Sequence, residues 1–228
     1  MQIQIRFQPS FSVARFTLGP NEPIRAESGA MMAMSADTTI AAKAEGGMLK
    51  SLKRAALGGE SFFITTLTGG PEDGWVDLAP NLPGDLMVVE LHDGRDWILA
   101  KGAFLGAGSG VTIESQFRGM RMFAGGEGAF LIGATGQGPV VVSAFGAIDR
   151  IPLAADQRVV VDSGHFVACE ASVQYSLRRA SEGGLMQSAK SGEGFVFEFV
   201  GPGEVLMQSR NPSALITYLA ANGLGARN

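Results

Sequence analysis

Hydrophobic and polar residues alternate with a period of two over several short stretches of the chain. Residues 1–7 show this alternation, and residues 86–91 and 96–99 are rich in aliphatic and aromatic side chains. Such patterns are typical of β-strands. The pairs Asp93-Gly94 and Asp73-Gly74 suit tight turns with positive backbone angles, so we expect hairpins there. The pattern predicts an all-β fold.

A longer pattern occurs three times in the same register. Leu18, Leu91 and Leu153 are each followed by an apolar residue at the sixth position and a glycine at the eleventh. The apolar residues are Ile24, Trp97 and Val159, the glycines are Gly29, Gly102 and Gly164, and the register then aligns Met31 with Phe104 and Phe166. A repeat of roughly 60–70 residues is too long for a solenoid unit. It predicts three β-sandwich or jelly-roll-like units in a pseudo-threefold arrangement.

The repeats follow one another without a linker. We expect one compact domain over residues 1–228, built from repeats of about 1–82, 83–146 and 147–212. A unit of about 60 residues with one apolar face is hard to stabilise alone, so the repeats should pack against each other.

Two segments carry helical signals. Asn211 and Pro212 provide a cap and a first-turn proline, and a glycine at 223 provides a stop, which predicts a short C-terminal helix over residues 213–222. Residues 46–59 lie between glycine pairs and space their apolar and cationic residues as a small amphipathic helix does.

The composition limits the classes of function. The chain has 228 residues, 46% of them hydrophobic, and a formal net charge of −4. This charge gives no overall attraction to nucleic acid, which is not an expected partner. No apolar run approaches the roughly 20 residues of a membrane-spanning helix, and the N-terminus lacks the apolar core of a secretory signal. We therefore expect a soluble, cytoplasmic protein.

Metal and thiol chemistry have few candidate residues. Cys169 is the single cysteine, and His92 and His165 are the two histidines. These counts exclude an intrachain disulfide, a cysteine-based zinc site and a multi-histidine metal centre. Cys169 aligns with Met34 and Ala107 in the repeats, which favours a small apolar strand residue over a reactive thiol. We expect no cofactor.

Several phrases of the sequence together resemble one protein family. They are a Gly-Glu-x-Phe-Phe phrase at residues 59–63, a Glu-Gly-Gly phrase at 45–49 that is echoed at 182–186, and the ending at 209–212. The chain resembles the altered-inheritance-of-mitochondria protein family, whose fold is placed with that of the tryptophan RNA-binding attenuation protein. The resemblance implies triplicated β-sandwich units, homo-oligomers and no established activity, with eukaryotic members linked to mitochondrial inner-membrane organisation. The attenuation protein's lysine-rich RNA motif has no counterpart here, so RNA and tryptophan binding are not implied.

Three repeated glutamates are the main candidates for acid–base chemistry. Glu60, Glu127 and Glu193 each follow a glycine, and threefold symmetry would bring their carboxylates together and raise their pKa values. A Gly-Glu pair before a strand also suits a turn whose carboxylate accepts backbone N–H bonds. No histidine accompanies the glutamates, so the structural role is favoured and we expect no enzyme activity. The glycine-rich residues 106–110 match neither a phosphate loop nor a nucleophile elbow, and predict a β-bulge or tight turn.

Cations recur just before the Gly-Glu phrase of each repeat, beside methionines. Cations and methionines together suit an adaptable contact surface for a protein or an anionic partner, and indicate self-association. Exposed lysine and arginine are also the ordinary state of a protein surface. The candidate interaction surface comprises Met48, Leu49, Lys50, Lys53, Arg54, Arg118 and Arg121.

These features favour a non-enzymatic, homo-oligomeric scaffold or interaction protein of unknown biochemical function. Three alternatives stay open. A small-ligand-binding protein would have a pocket between repeats, near Trp97 or Trp75. A nucleic-acid-binding protein would use a basic surface, and a hydrolase or isomerase would use the repeated glutamates.

Overall fold

The computed structural model describes residues 1–43, 64–115, 131–180 and 194–224. Within these ranges the chain forms nineteen strands, two short 3-10 turns and a C-terminal α-helix. The predicted all-β fold with a short terminal helix is therefore confirmed. The predicted amphipathic helix at 46–59 lies outside the described residues.

After an N-terminal strand, the described strands fall into three units of six in chain order. The N-terminal strand is β1 (Gln2–Arg6). The first unit contains β2 (Val13–Leu18), β3 (Pro23–Glu27), β4 (Met31–Met34), β5 (Thr39–Lys43), β6 (Ile64–Thr68) and β7 (Gly74–Leu78). The second contains β8 (Leu86–Leu91), β9 (Trp97–Ala100), β10 (Phe104–Gly108), β11 (Val111–Ser115), β12 (Leu131–Gly136) and β13 (Gly138–Ser143). The third contains β14 (Ile148–Leu153), β15 (Arg158–Asp162), β16 (Phe166–Glu170), β17 (Gln174–Arg179), β18 (Phe195–Val200) and β19 (Gly203–Gln208).

The same antiparallel pairing order holds inside each unit. The first strand pairs with the sixth, the sixth with the third, the second with the fifth, and the fifth with the fourth. Units are joined because the second strand of one pairs with the third strand of the next, in β3·β10 and β9·β16. The pseudo-threefold arrangement of the units stays a prediction.

These pairings produce four sheets. In strand order they are sheet A (β1-β2-β7-β4), sheet B (β5-β6-β3-β10-β13-β8), sheet C (β11-β12-β9-β16-β19-β14) and sheet D (β15-β18-β17). Three apolar clusters lie between successive sheets: one joins A to B, one joins B to C, and one joins C to D. The sheets are therefore stacked in the order A, B, C, D, as expected for sheets with apolar faces.

A β-bulge occurs at the same place in the third strand of every unit. The register shifts between Met31 and Ala33, between Phe104 and Gly106, and between Phe166 and Ala168. The sequence predicts a bulge or a tight turn in the glycine-rich residues 106–110: the bulge ends at Gly106 and a turn follows at 109–110, so the prediction is confirmed. A Cβ at Gly106 would lie 2.7 Å from Leu78 Cδ1, so a larger residue there would have to displace Leu78 in the packing of sheet A on sheet B.

The predicted hairpins at Asp93-Gly94 and Asp73-Gly74 are wrong, although a tight turn does form at the first site. Gly94 has a φ of 79°, and Arg95 N donates to His92 O at 2.8 Å, which closes a tight turn. The strands on either side then enter different sheets: β8 pairs in sheet B while β9 pairs in sheet C. At the second site Gly74 is the first residue of β7, and the chain passes there from β6 of sheet B to β7 of sheet A. The consecutive described strands that do pair are instead β1 with β2, and the fourth with the fifth strand of each unit.

The C-terminal helix α1 spans Pro212–Ala221. The Asn211 side chain caps it by accepting a hydrogen bond from Ser213 N at 2.9 Å. None of its residues is buried. No helix in the described part of the chain combines the length and apolar character needed to cross a membrane.

Candidate interaction surface

The seven residues of the predicted surface lie outside the described residues. They fall between β5 and β6 and between β11 and β12, the connections of the fourth and fifth strands. The glutamates Glu60, Glu127 and Glu193 also lie outside the described part, in the corresponding connections of the three units. The contact role of the basic residues and the turn role of the glutamates stay predictions.

Neighbouring units are joined by antiparallel strand pairing. In β3·β10, Gly106 lies opposite Ala26, Ala107 opposite Arg25, and Gly108 opposite Ile24.

In β9·β16, the same three positions place Ala168 opposite Leu99, Cys169 opposite Ile98, and Glu170 opposite Trp97. Both junctions therefore have the same register. Each joins three strands of one unit, here called a half-sheet, to three strands of the next unit and so forms a six-stranded sheet.

Sheet A ends in a half-sheet edge that lacks this junction. Among the described strands β4 pairs with β7 alone. On β4, Met32 is 52% exposed, whereas Leu105 and Val167, at the same position in the second and third units, are 0% and 1% exposed. The neighbouring Met31 is also exposed. The edge therefore presents to solvent apolar side chains that the other units bury.

Sheet D ends in the complementary edge. Strand β15 pairs with β18, and no other described strand lies beside it. Val160 at its centre is 50% exposed, whereas Ile98, which occupies the same position in β9, is 8% exposed beneath the third unit. Natural sheets protect exposed edges with charges, proline or short strands, because a free edge can pair with another chain.

Charged groups on sheet D hold the strands next to this edge. Glu198 on β18 accepts hydrogen bonds from Arg158 on β15 at 3.0 Å and from Arg178 on β17 at 3.4 Å. The charges of β15 are thus at its two ends, Arg158 and Asp162, and three valines lie between them.

An ion cluster covers the outer face of sheet A. Asp77 accepts from Arg15 at 2.8 Å and forms an ion pair with Arg6 at 2.7 Å, and it is almost fully buried. Burial alone would raise the pKa of Asp77, but the hydrogen bonds and charges of Arg15 and Arg6 outweigh it and hold that pKa below its ordinary value. The Arg15 guanidinium also lies 4.1 Å from the centre of the Trp75 ring.

A cavity of about 390 Å³ lies where segments of all three units meet. Its lining includes Glu27 of the first unit, Gly102 and Ser143 of the second, and Gln208 and Asn211 at the end of the third. Gln208 accepts a hydrogen bond from a backbone N–H and donates one to a carbonyl, each at 2.8 Å, so its polar atoms are already satisfied. Neither Trp97 nor Trp75 lines this cavity.

The candidate reactive residues are structural where they are described. Cys169 is fully buried in β16, which confirms its prediction as an apolar strand residue. Burial, assisted by the charge of Glu170, raises the pKa of its thiol to about 12, so the reactive thiolate is not formed at neutral pH. His165 Nδ1 lies 2.7 Å from Gln208 O. In the described ranges no three His, Cys, Asp or Glu side chains gather in a way that could hold a metal ion.

The edge residues were only partly visible in the sequence. Val160 reads as a strand valine like its neighbours, and Met32 as one of several apolar residues in a strand. The available signal was the repeat register, because the first and last members of a series each lack one neighbour.

Comparison with known proteins gives a family-level match over most of the chain. A family model described as mitochondrial biogenesis AIM24 matches residues 3–210. An uncharacterised protein of Streptococcus pyogenes serotype M6 is 30% identical over 220 residues, covering 92% of this chain and 86% of that protein. An X-ray crystal structure of a Streptococcus pyogenes protein is similar with a TM-score of 0.82 and 29% identity, covering 97% of this chain and 99% of that chain.

Proposed function

The chain belongs to the mitochondrial biogenesis AIM24 family, and we propose that this member is a non-enzymatic protein that assembles with itself and acts as a scaffold. One observation carries the proposal. Apolar side chains are exposed on β4 and β15, where the equivalent Leu105, Val167 and Ile98 are buried between stacked sheets.

The energetic argument rests on apolar area and unpaired backbone groups. Each edge presents N–H and C=O groups on one side, and a further strand would satisfy them. Covering a methionine or valine side chain removes apolar surface from water, which favours association by about 25 cal/mol per Å². The contact therefore combines hydrogen bonding and burial, as in β-strand addition between protein chains.

Native mass spectrometry on the purified full chain tests this proposal. The expected spectrum shows a discrete oligomer, a whole multiple of the chain mass, that persists over a series of dilutions in the micromolar range. A monomer at every concentration of the series would contradict self-assembly.

The cavity supports a second candidate function, the binding of a small ligand. Its volume of about 390 Å³ is within the usual range of ligand sites, roughly 300–1,000 Å³. Under this proposal, native spectra of protein purified from its own host carry a stoichiometric extra mass.

Two glycine variants separate a bound ligand from an adventitious one. A Cβ at Gly102, which lines the cavity, meets no atom within 4 Å, and the same is true at Gly194, which does not line it. Gly102→Leu should remove the extra mass while Gly194→Leu keeps it. Retention of the mass in both variants would place the ligand elsewhere.

A further inference from the structure

We infer that β4 of one copy pairs with β15 of a second copy, antiparallel and in the register of the internal junctions. This inference rests on the proposed self-assembly and specifies its contact. The occupant of each free edge is thus the opposite edge of the same protein, and the template is the junction that the chain already forms twice within itself.

The strand order of the half-sheets supports the match. Sheets B and C are each built as fourth, fifth and second strand of one unit followed by third, sixth and first strand of the next. Sheet D is the first half of that order, β17-β18-β15, and sheet A contains the second half, β4-β7-β2, with β1 added beyond it. Joining β15 to β4 therefore creates a sheet with the internal order.

The two internal junctions also fix the register. In the third strand of each unit, Ala33, Gly106 and Ala168 are equivalent because each directly follows the bulge. In the second strand, Val161, Ala26 and Leu99 are equivalent by their pairing with the fifth strand.

Transferring the pairs of the internal junctions to the free edges places Met34 opposite Val160. It also places Ala33 opposite Val161 and Ser35 opposite Val159. Residues 31–35 contain no charged side chain, so β4 brings no buried charge to this contact.

The burial of equivalent residues supports the same contact. Met32 would occupy the place of Leu105 and Val167, which are buried, and Val160 that of Ile98, which is buried, and of Arg25, which is half-buried. Ala33 would bring a small side chain to the position where the internal junctions have Gly106 and Ala168.

The contact joins two different surfaces, so it is heterologous. A dimer formed this way retains one free β4 and one free β15, and assembly continues until a ring closes or an open array forms. Every added copy contributes three units in the same orientation.

Disulfide trapping tests the register directly. Met34→Cys and Val160→Cys proteins are prepared separately and mixed under mild oxidation. The mixture should give a covalent dimer, and each protein alone should give none, because neither variant carries both halves of the contact. The native Cys169 is buried in its strand and does not contribute.

A mixture of Met34→Cys with Val159→Cys is the matched control. Adjacent residues of a strand point to opposite faces, so this pair should not link. Linking of either single variant with itself would indicate a two-fold contact and overturn the inference. So would equal linking in the control mixture.

A second pair of variants separates failure of this contact from failure of self-assembly. Ala33→Arg places a large charged side chain where the internal junctions have only Gly106 and Ala168, and should shift the native oligomer to monomer, while Gln174→Arg, on the opposite edge of sheet D, should leave it intact. An oligomer that survives Ala33→Arg and gives no Met34–Val160 linkage overturns the contact and leaves self-assembly standing. A wild-type chain that is monomeric throughout removes both.

Discussion

The closed junctions between units and the open edges at β4 and β15 are built from the same positions in different surroundings. Leu105 and Val167 are buried where Met32 is half exposed, and Ile98 is covered where Val160 is not. Apolar character is retained at the open edges even though no described strand covers them there. The comparison teaches that the burial of a residue in this protein depends on the presence of a neighbouring unit more than on its type.

The outer face of sheet A is covered by charged residues and not by another sheet of the described chain. The residue paired with the bulge on the sixth strand is Val141 in the second unit and Leu206 in the third, and both are fully buried between sheets. In the first unit this residue is Asp77. Asp77 is equally buried, but by arginines. The terminal sheet thus closes its face with an ion cluster and leaves its edge apolar, which is the opposite of a protected edge.

The largest expected difference is between the effects on folding of a lysine at Ile98 and a lysine at Val160. Ile98→Lys places an ammonium group in the cluster between sheets C and D without a partner, and should prevent cooperative folding. Val160→Lys adds the same charge to an exposed edge and should retain a cooperative urea transition, measured by circular dichroism. If Val160→Lys also fails to fold, the edge is structural in the single chain and the comparison breaks.

A smaller effect is expected from truncating the equivalent pair Leu105 and Met32. Leu105→Ala removes a fully buried side chain between sheets A and B and should lower the free energy of unfolding by about 2–5 kcal/mol. Met32→Ala should cost less than about 1 kcal/mol in the monomer. Urea titrations at a protein concentration low enough for both variants to be monomeric give the two values. Equal losses would show that Met32 already packs like Leu105 within one chain.

The smallest effect concerns the ion cluster and sharpens the contrast between edge and face. Asp77→Asn should lower the free energy of unfolding by about 2 kcal/mol at neutral pH, since it removes charge-assisted hydrogen bonds from two arginines. Glu204→Gln, which breaks the pair with Arg150 on an exposed surface, is the control and should cost under about 1 kcal/mol.

The Asp77 effect should depend on pH in a defined direction. The folded pKa of Asp77 is below that of the unfolded chain, about 3.9, so its contribution is complete above that value and lost as pH falls through the folded pKa. Urea titrations at about pH 6 and about pH 3 should therefore show the difference between wild type and Asp77→Asn shrinking at the lower pH. A difference that stays constant would mean that the Asp77 charge does not stabilise the fold.

The repeated pattern allowed much of the fold to be predicted. The register of Leu18, Leu91 and Leu153 places these residues at equivalent ends of β2, β8 and β14, and it correctly aligned Cys169 with Ala107. Turn chemistry was less informative. Asp93-Gly94 specifies a tight turn locally, but which strands then pair depends on apolar faces far away in sequence.

The open edges could not be predicted from residue type. Met32 and Leu105 are both apolar, and a strand sequence does not tell whether another strand lies beside it. Whether a neighbouring unit covers a side chain depends on tertiary structure. Only the position of a unit in the series of three could have identified the edges. The prediction of a contact role for the basic residues from Lys50 to Arg121 rests on local charge and composition alone.

The sharing of sheets B and C between units has a consequence for how such a gene can change. Each of these sheets is half from one unit and half from the next, so the boundary between units in the sequence is not a boundary in space. Duplication or loss of a whole six-strand unit keeps every internal sheet complete and leaves one edge of each kind. Gain or loss of part of a unit leaves a half-sheet inside the stack.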